Sequence, residues 1–242
     1  MKKGLVIIPT YNEAVNIEKI IKKILVVSEQ LEVLVIDDNS PDHTAEIVEN
    51  LRHATKKIHL VKRPKKLGLG TAYVLGFGYA LENNYDFVFE MDADFSHDPN
   101  DLPRFIKLID TYDLVIGSRY SDGVSVVNWP MKRLLISFAA CIFARVVTGV
   151  PVKDLTSGFK CYSRKALQSV AWQKFKVGGY GFQIQSVYSV FMVGLKIKEI
   201  PIIFVERRAG ASKMSEKIIW EAFWLVWKLR FCSLFNRKWF WA

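Results

Sequence analysis

Short apolar runs alternating with helical periodicity constrain this chain more than any other feature. Leu5-Val6-Ile7-Ile8, Val33-Leu34-Val35-Ile36, Ile58-His59-Leu60-Val61, Phe87-Val88-Phe89 and Leu114-Val115-Ile116-Gly117 are too short for helices and almost continuously apolar. Such runs predict strands buried on both faces of a sheet. Between the first two, Ile17, Ile20, Ile21, Ile24 and Leu25 recur at helical spacing opposite Lys19, Lys22 and Lys23. Further helices are expected up to Leu51, started by Asp42 or Thr44, from the Gly68-Leu69-Gly70 loop to Asn83, and from Pro99 to Ile109. Strands that alternate with helices predict an α/β fold: a mostly parallel, Rossmann-like sheet with right-handed crossovers, flanked by helices.

The second half changes character. Trp129 to Val150 is long and apolar but interrupted by Lys132, Arg133 and Arg145; Gly158 to Tyr162 reads as a strand and Phe182 to Val193 as a helix. Ile197 to Val205 reads as one strand, placed at a sheet edge by Pro201. Glu216 to Phe235 is a helix rich in Trp and Phe, followed by a basic aromatic tail. The expected organisation is a catalytic domain over 1–214 and a membrane-associating amphipathic helix and tail over 215–242, a division that 242 residues accommodate. Gly76 and Gly78, inside a helical pattern, predict close packing on a neighbour. His43, His53 and His59 read as surface groups.

The carboxylates follow the strands. Glu13 comes after the first, Asp37 and Asp38 after the second, and Asp92 and Asp94 after the fourth. In a parallel sheet these positions share the carboxyl edge, where open α/β sheets bind ligands. Asp92 and Asp94, separated only by Ala93, repel each other unless a cation lies between them. Hard oxygen ligands suit Mg²⁺ or Mn²⁺, ions that arrive with phosphate-bearing substrates. An isolated Asp-x-Asp is ordinarily a solvated turn, but several acids on one edge of a basic protein make a crevice for a metal-bound nucleotide. No Gly-x-Gly-x-x-Gly follows the first strand and no phosphate-loop motif occurs, which disfavours hydride transfer and ATP hydrolysis by those routes.

Composition narrows the partners. The net charge of +10, from 34 Lys and Arg against 24 Asp and Glu, favours an anionic partner. With no nucleic-acid-binding motif, a phosphorylated metabolite or an acidic membrane surface is expected and nucleic acid is not. Three scattered cysteines show neither disulfide nor metal-ligand spacing and fit a reducing cytosol. The opening Met-Lys-Lys-Gly is not a signal peptide, and no run of about 18 uncharged apolar residues predicts a membrane span.

Pro9-Thr10-Tyr11-Asn12-Glu13, Val35-Ile36-Asp37-Asp38-Asn39-Ser40-Pro41-Asp42, Asp92-Ala93-Asp94 and Gly117-Ser118-Arg119-Tyr120 fall in the order seen in glycosyltransferase family 2. The resemblance is closest to its polyprenol (dolichol) monophosphate mannose synthases. It extends to Lys65-x-x-Gly68-Leu69-Gly70-Thr71-Ala72, Asp154-Leu155-Thr156-Ser157-Gly158-Phe159-Lys160 and Gly210-Ala211-Ser212-Lys213-Met214. It implies a GT-A-type fold and inverting transfer of mannose from GDP-mannose to a polyprenyl (dolichyl) phosphate. It also implies roles. Pro9, Tyr11, Glu13, Ile36, Asp38 and Ala93 would line the nucleotide-sugar pocket, and Asp92 and Asp94 would hold Mg²⁺ or Mn²⁺ against the diphosphate. Ser96 stands where members commonly carry Gln, a shorter side chain at the metal that leaves room for a water or for His97. Arg119, Arg207 and Lys213 would meet the donor phosphates. Members usually carry Ser-Arg-Gly-Ala near the acceptor, where this chain has Ser137-Phe138-Ala139-Ala140; Arg133, with Arg119 and Ser137, would then meet the acceptor phosphate. Gln183-Ile184-Gln185 replaces the common Gln-Ile-Glu.

A lipid acceptor predicts a membrane-facing surface over Leu134 to Val150 and Ile218 to Trp241, on a peripheral protein at a cytoplasmic membrane face, with or without an anchoring subunit. Two other classes compete. A nucleotidyltransferase would carry a Gly-rich basic signature after the first strand, where Pro-Thr-Tyr-Asn-Glu stands; a non-catalytic membrane scaffold leaves the acidic crevice unexplained. Within transferases, a processive synthase would show Gln-x-x-Arg-Trp, which is absent. A glucosyltransferase using UDP-glucose is the nearest alternative, because no residue identified in the sequence reads the sugar 2-position.

Overall fold

The computed structural model describes residues 2–175, 178–206 and 216–234. The first half runs β1 (Gly4–Thr10), α1 (Ile17–Val27), β2 (Leu31–Asp37), α2 (Thr44–Ala54), β3 (Ile58–Lys62), α3 (Leu69–Glu82), β4 (Phe87–Glu90), α4 (Leu102–Ile106) and β5 (Leu114–Ser118). The second half adds β6 (Val126–Val127), α5 (Met131–Thr148), β7 (Lys160–Ser163), α6 (Arg164–Ser169), α7 (Gly179–Met192), β8 (Ile197–Pro201), β9 (Phe204–Val205) and α8 (Glu216–Leu234).

Seven strands form one sheet in the order β3-β2-β1-β4-β7-β5-β8. All neighbours are parallel except β7, which runs antiparallel to both β4 and β5. Side chains alternate across β1: Val6 and Ile8 join the core beneath α1, α2 and α4, while Leu5 and Ile7 join the core under α3, α6, α7 and α8. This is the α/β sandwich that the alternating runs predict, and it brings the ends of β1, β2 and β4 to one edge.

Three expectations change. Pro99 to Ile109 is not one helix: a 3-10 turn, Pro99–Asp101, is capped by the Asp98 carboxylate accepting the Asn100 N–H at 3.0 Å, and α4 follows as a short piece. The Ile197 to Val205 run breaks after Pro201; β8 stays at the sheet edge, while β9 leaves it to pair with β6. His59 is not a surface group, since its ring is 2.7 Å from Glu32 Oε2 and 3.2 Å from the Tyr85 hydroxyl and only 26% exposed.

The two helical glycines also differ. A Cβ at Gly76 would lie 2.5 to 3.0 Å from three side-chain atoms of Ile7, whereas one at Gly78 meets nothing within 4 Å. Ile7 is β-branched and held in the sheet, so it cannot swing away. Gly76→Ala is therefore expected to cost about 1–3 kcal/mol by overpacking. Gly78→Ala should gain about 0.5–1 kcal/mol from helix propensity. Urea unfolding of the pair checks this, and equal responses would contradict the packing.

Helix α8 has two faces. Leu225, Val226, Leu229 and Cys232 are buried in the core against α5 and α7, and the Tyr188 hydroxyl donates to the Leu229 carbonyl at 3.0 Å. Trp220, Trp224, Trp227 and Phe231 face outward. On α5, Met131, Leu135, Phe138, Ile142 and Val146 form a second exposed stripe at helical spacing. Among the described residues no helix is long and apolar enough to cross a membrane. The three cysteines are buried and free.

Candidate active site

A crevice of about 400 Å³ opens at the carboxyl edge of the sheet. The ends of β1 and β2 build one wall, where Pro9, Tyr11, Glu13 and Asp38 line it. The Lys66 ammonium lies over the Tyr11 ring, 4.1 Å from its centroid. Asp38 accepts the N–H groups of Leu67 and Gly68 at 3.2 Å and pairs with the buried Arg63, so its carboxylate also holds the loop ahead of α3. Asp37 turns inward and accepts from Thr10 Oγ1 at 2.8 Å, Ser40 N at 2.9 Å and Ser40 Oγ at 2.6 Å, tying the two strand ends together. Ile36 does not line the crevice; its side chain is fully buried in the core.

The floor comes from the turn after β4. Asp92, Asp94, Ser96 and His97 line the crevice, and Ala93 is buried behind it. Phe95 has φ of 61°, a left-handed conformation that bulky residues rarely adopt. The kink lets Asp94 Oδ1 accept the Ser96 N–H at 3.0 Å. His97 is buried, stacked on Phe159 at 4.9 Å, and its Nδ1 accepts the Asp92 N–H at 3.3 Å. Burial pushes its imidazole down to about 4 against the pull of Asp94, so it is neutral at pH 7 and shapes the turn uncharged. Among the described residues, no three His, Cys, Asp or Glu side chains converge on a common ion site. The residues present do fit a divalent ion of the kind that takes one or two carboxylates and completes its shell with substrate phosphate and water. The Ser96 hydroxyl, buried and without a hydrogen-bond partner, is the orphan polar atom such a shell would use.

Under the floor lies a buried polar group. Glu90 and Lys160 are register partners on β4 and β7, with Lys160 Nζ 3.7 Å from Glu90 Oε2. Lys160 also donates to Ser186 Oγ at 3.2 Å and to Gln183 Oε1. Burial pushes the Lys160 ammonium down to about 8, with Glu90 opposing; burial also raises the Glu90 carboxyl, with Lys160 opposing.

The far wall is basic and aromatic. Arg119, Arg133, Trp129, Phe204 and Glu206 line it. Arg119 is committed to Asp154: Nε donates at 2.7 Å, Nη2 at 2.6 Å and the backbone N–H at 3.0 Å, while Nη2 also reaches Thr156 Oγ1 at 2.7 Å. Burial alone would raise the Asp154 carboxyl; the Arg119 guanidinium outweighs it and holds that carboxyl below its ordinary value. Arg133 pairs with Glu206 and lies over Trp129, 4.2 Å from the ring centroid. Ser137 does not line the crevice; its hydroxyl accepts from the Tyr120 hydroxyl at 2.9 Å. Arg207 and Lys213 lie outside the described residues.

Sequence reasoning gave no role to Lys66, Trp129 or Lys160. The one available signal was the polar interruption in Phe159-Lys160-Cys161-Tyr162, an otherwise apolar strand.

This mostly parallel sheet with an acidic floor and a basic far wall at its carboxyl edge is that of a GT-A-type glycosyltransferase. Residues 5–171 match the model of glycosyl transferase family 2, and the chain belongs to that family. It is 40% identical over 218 residues to the undecaprenyl-phosphate mannosyltransferase of Micrococcus luteus, covering 90% of each chain. It is 40% identical over 233 residues to the polyprenol monophosphomannose synthase of Mycolicibacterium smegmatis, covering 95% of this chain and 88% of that one. Among solved structures it is similar to glucosyl-3-phosphoglycerate synthase from Mycobacterium tuberculosis in complex with Mn²⁺, UDP-glucose and phosphoglyceric acid. The TM-score is 0.67 over 93% of this chain and 80% of that one, and at 21% identity the likeness is one of fold.

Proposed function

We propose that this chain transfers mannose from GDP-mannose to a polyprenyl phosphate, with inversion at the anomeric carbon, at the cytoplasmic face of a membrane. The two relatives named for mannosyl transfer to lipid phosphates support the reaction class. The structural observation that carries it is the placement of α5. Arg133, in its first turn, lines the crevice, while Met131, Leu135, Phe138, Ile142 and Val146 on the same helix are exposed. One helix thus offers a cation to a phosphate and an apolar stripe to the attached lipid.

In this reading Pro9, Tyr11, Glu13, Asp38 and Lys66 hold the nucleoside. Asp92 and Asp94, with Ser96 nearby, hold Mg²⁺ or Mn²⁺, which when bound supplies positive charge against the leaving diphosphate. Arg207 and Lys213 are proposed to meet the same phosphates. The acceptor phosphate is already anionic at neutral pH and needs placement more than a strong base; Arg133 provides it, beside an Arg119 held in the crevice wall by Asp154. A single displacement inverts the sugar carbon.

A donor panel of GDP-mannose, GDP-glucose and UDP-glucose, assayed with a short polyprenyl phosphate, tests this reading. The expected result is lipid-dependent nucleotide release from GDP-mannose that EDTA abolishes. Preferential release from UDP-glucose would make the chain a glucosyltransferase, and no release from any donor would sink the transferase reading.

The 215–242 segment is proposed to seat the protein on the bilayer through the outward face of α8. Trp220 and Trp224 are 59% and 65% exposed. Replacing both with Ser should leave the melting temperature unchanged and weaken binding to anionic vesicles at least about tenfold, since each large apolar side chain buried contributes about 1.5–3 kcal/mol. Vesicle co-sedimentation checks this; undiminished binding would remove α8 from the interface.

A further inference from the structure

Gly158 leaves an atom-sized notch in the crevice with polar walls. A Cβ there would stand 3.5 Å from His97 Cε1, 3.7 Å from Asp92 Oδ2 and 3.9 Å from Gln183 Nε2. These are ordinary contact distances for a methyl bonded to the Cα, so the missing side chain leaves that volume to the crevice, and a ligand group resting on the Cα would lie farther out between the polar walls. A carboxylate oxygen on one side accepts a hydrogen bond, and an amide nitrogen on the other donates one. A hydroxyl, both donor and acceptor, matches them, and a methyl does not.

The orientation of the Gln183 amide is fixed from below. Gln183 is only 3% exposed, and its Oε1 accepts from Lys160 Nζ. An ammonium can only donate, so the amide oxygen must face it and the NH₂ must face away. Lys160 is itself held by Ser186 Oγ and by Glu90 across the β4–β7 ladder. The donor therefore rests on a buried, charged support rather than on a mobile loop.

Building on the proposed reaction, we infer that the notch over Gly158 receives one hydroxyl of the transferred sugar and that Gln183 reads this hydroxyl through Nε2. Gln183 is then a specificity-determining residue for the sugar ring, and Lys160 is its positioning residue. A site built to hydrogen-bond a hydroxyl discriminates against the analogue that lacks it, because the amide donor then loses that partner in the crevice.

Two substitutions test this by calorimetry, with GDP and GDP-mannose as probes. Gly158→Ala fills the notch without a clash. Gln183→Glu keeps an oxygen for Lys160 and removes the NH₂ donor. Each should weaken GDP-mannose binding at least about tenfold while leaving GDP binding within about twofold. Among GDP-mannose analogues lacking one sugar hydroxyl, one should bind wild type correspondingly weakly, and Gln183→Glu should no longer distinguish it from GDP-mannose. Equal losses for GDP and GDP-mannose would overturn the inference, as would unchanged discrimination among the deoxy donors. A wild-type chain that binds and transfers mannose while both variants behave normally overturns the inference alone; a wild-type chain that binds no GDP-mannose overturns the proposed function with it.

Discussion

Asp94→Ala is expected to reduce mannosyl transfer at least about a thousandfold, the scale reached when charge stabilisation at a reacting centre is removed. The turn after β4 explains why the loss should fall on catalysis and not on folding. Strand β4 is buried, as are Met91, Ala93, Ser96 and His97 after it, but Asp94 is only partly so and lines the crevice. Its removal forfeits the bond from the Ser96 N–H at 3.0 Å, a net loss of about 0.5–1.5 kcal/mol. It also relieves repulsion from Asp92, which offsets part of that cost. The melting temperature should therefore move by a few degrees at most while turnover collapses. Asp94→Asn separates charge from shape: the amide still accepts the Ser96 N–H, yet transfer should remain low because a neutral oxygen is a poor ligand for a hard cation. Steady-state turnover beside thermal melting checks both, and near-normal turnover of either variant would remove Asp94 from the site.

The second large effect is on stability. Asp154→Ala should destabilise the protein by about 3–5 kcal/mol, because it leaves the Arg119 guanidinium buried and unpaired. The Arg119 and Asp154 side chains are 6% and 0% exposed, and two guanidinium nitrogens bond the carboxylate. Arg119→Ala should be comparably costly, and the double variant less than the sum, since neither charge is then stranded. The pH dependence has a definite sign. The folded pKa of Asp154 lies below its ordinary value of 3.8. Its contribution is therefore present above pH 3.8 and is lost as the pH falls through the folded value. Urea unfolding should show the gap between wild type and Asp154→Asn wide at pH 7 and narrowing in acid below that value. A gap that widens on acidification would contradict the pairing.

These two sites are legible in the sequence to different degrees. The parallel strands show because burial on both faces leaves nearly unbroken apolar runs, and the edge they share is enough to group Glu13, Asp38, Asp92 and Asp94. The antiparallel insertion of β7 does not show, since pairing with both β4 and β5 is settled by tertiary register. Lys160 stays hidden for the same reason: its partners Glu90 and Gln183 come from another strand and from a helix. Arg119 can be assigned to the site but not to Asp154, which lies 35 positions away. Gly76 and Gly78 look alike in sequence, yet only one faces Ile7. Helix α8 reads as a mix of apolar, aromatic and basic residues, and only packing on α5 and α7 sorts Leu225 and Leu229 from Trp220 and Trp224.

The central claim is that the crevice floored by Asp92 and Asp94 moves mannose onto a lipid phosphate. The most direct measurement incubates the full chain with GDP-mannose, a short polyprenyl phosphate and Mg²⁺ or Mn²⁺, and identifies the lipid product by mass spectrometry and its anomeric carbon by NMR. The expected product is polyprenyl phosphate mannose, formed one for one with GDP, inverted relative to the donor, and lost with EDTA or Asp94→Ala. GDP release without a mannosylated lipid, or an equal yield from Asp94→Ala, would contradict it.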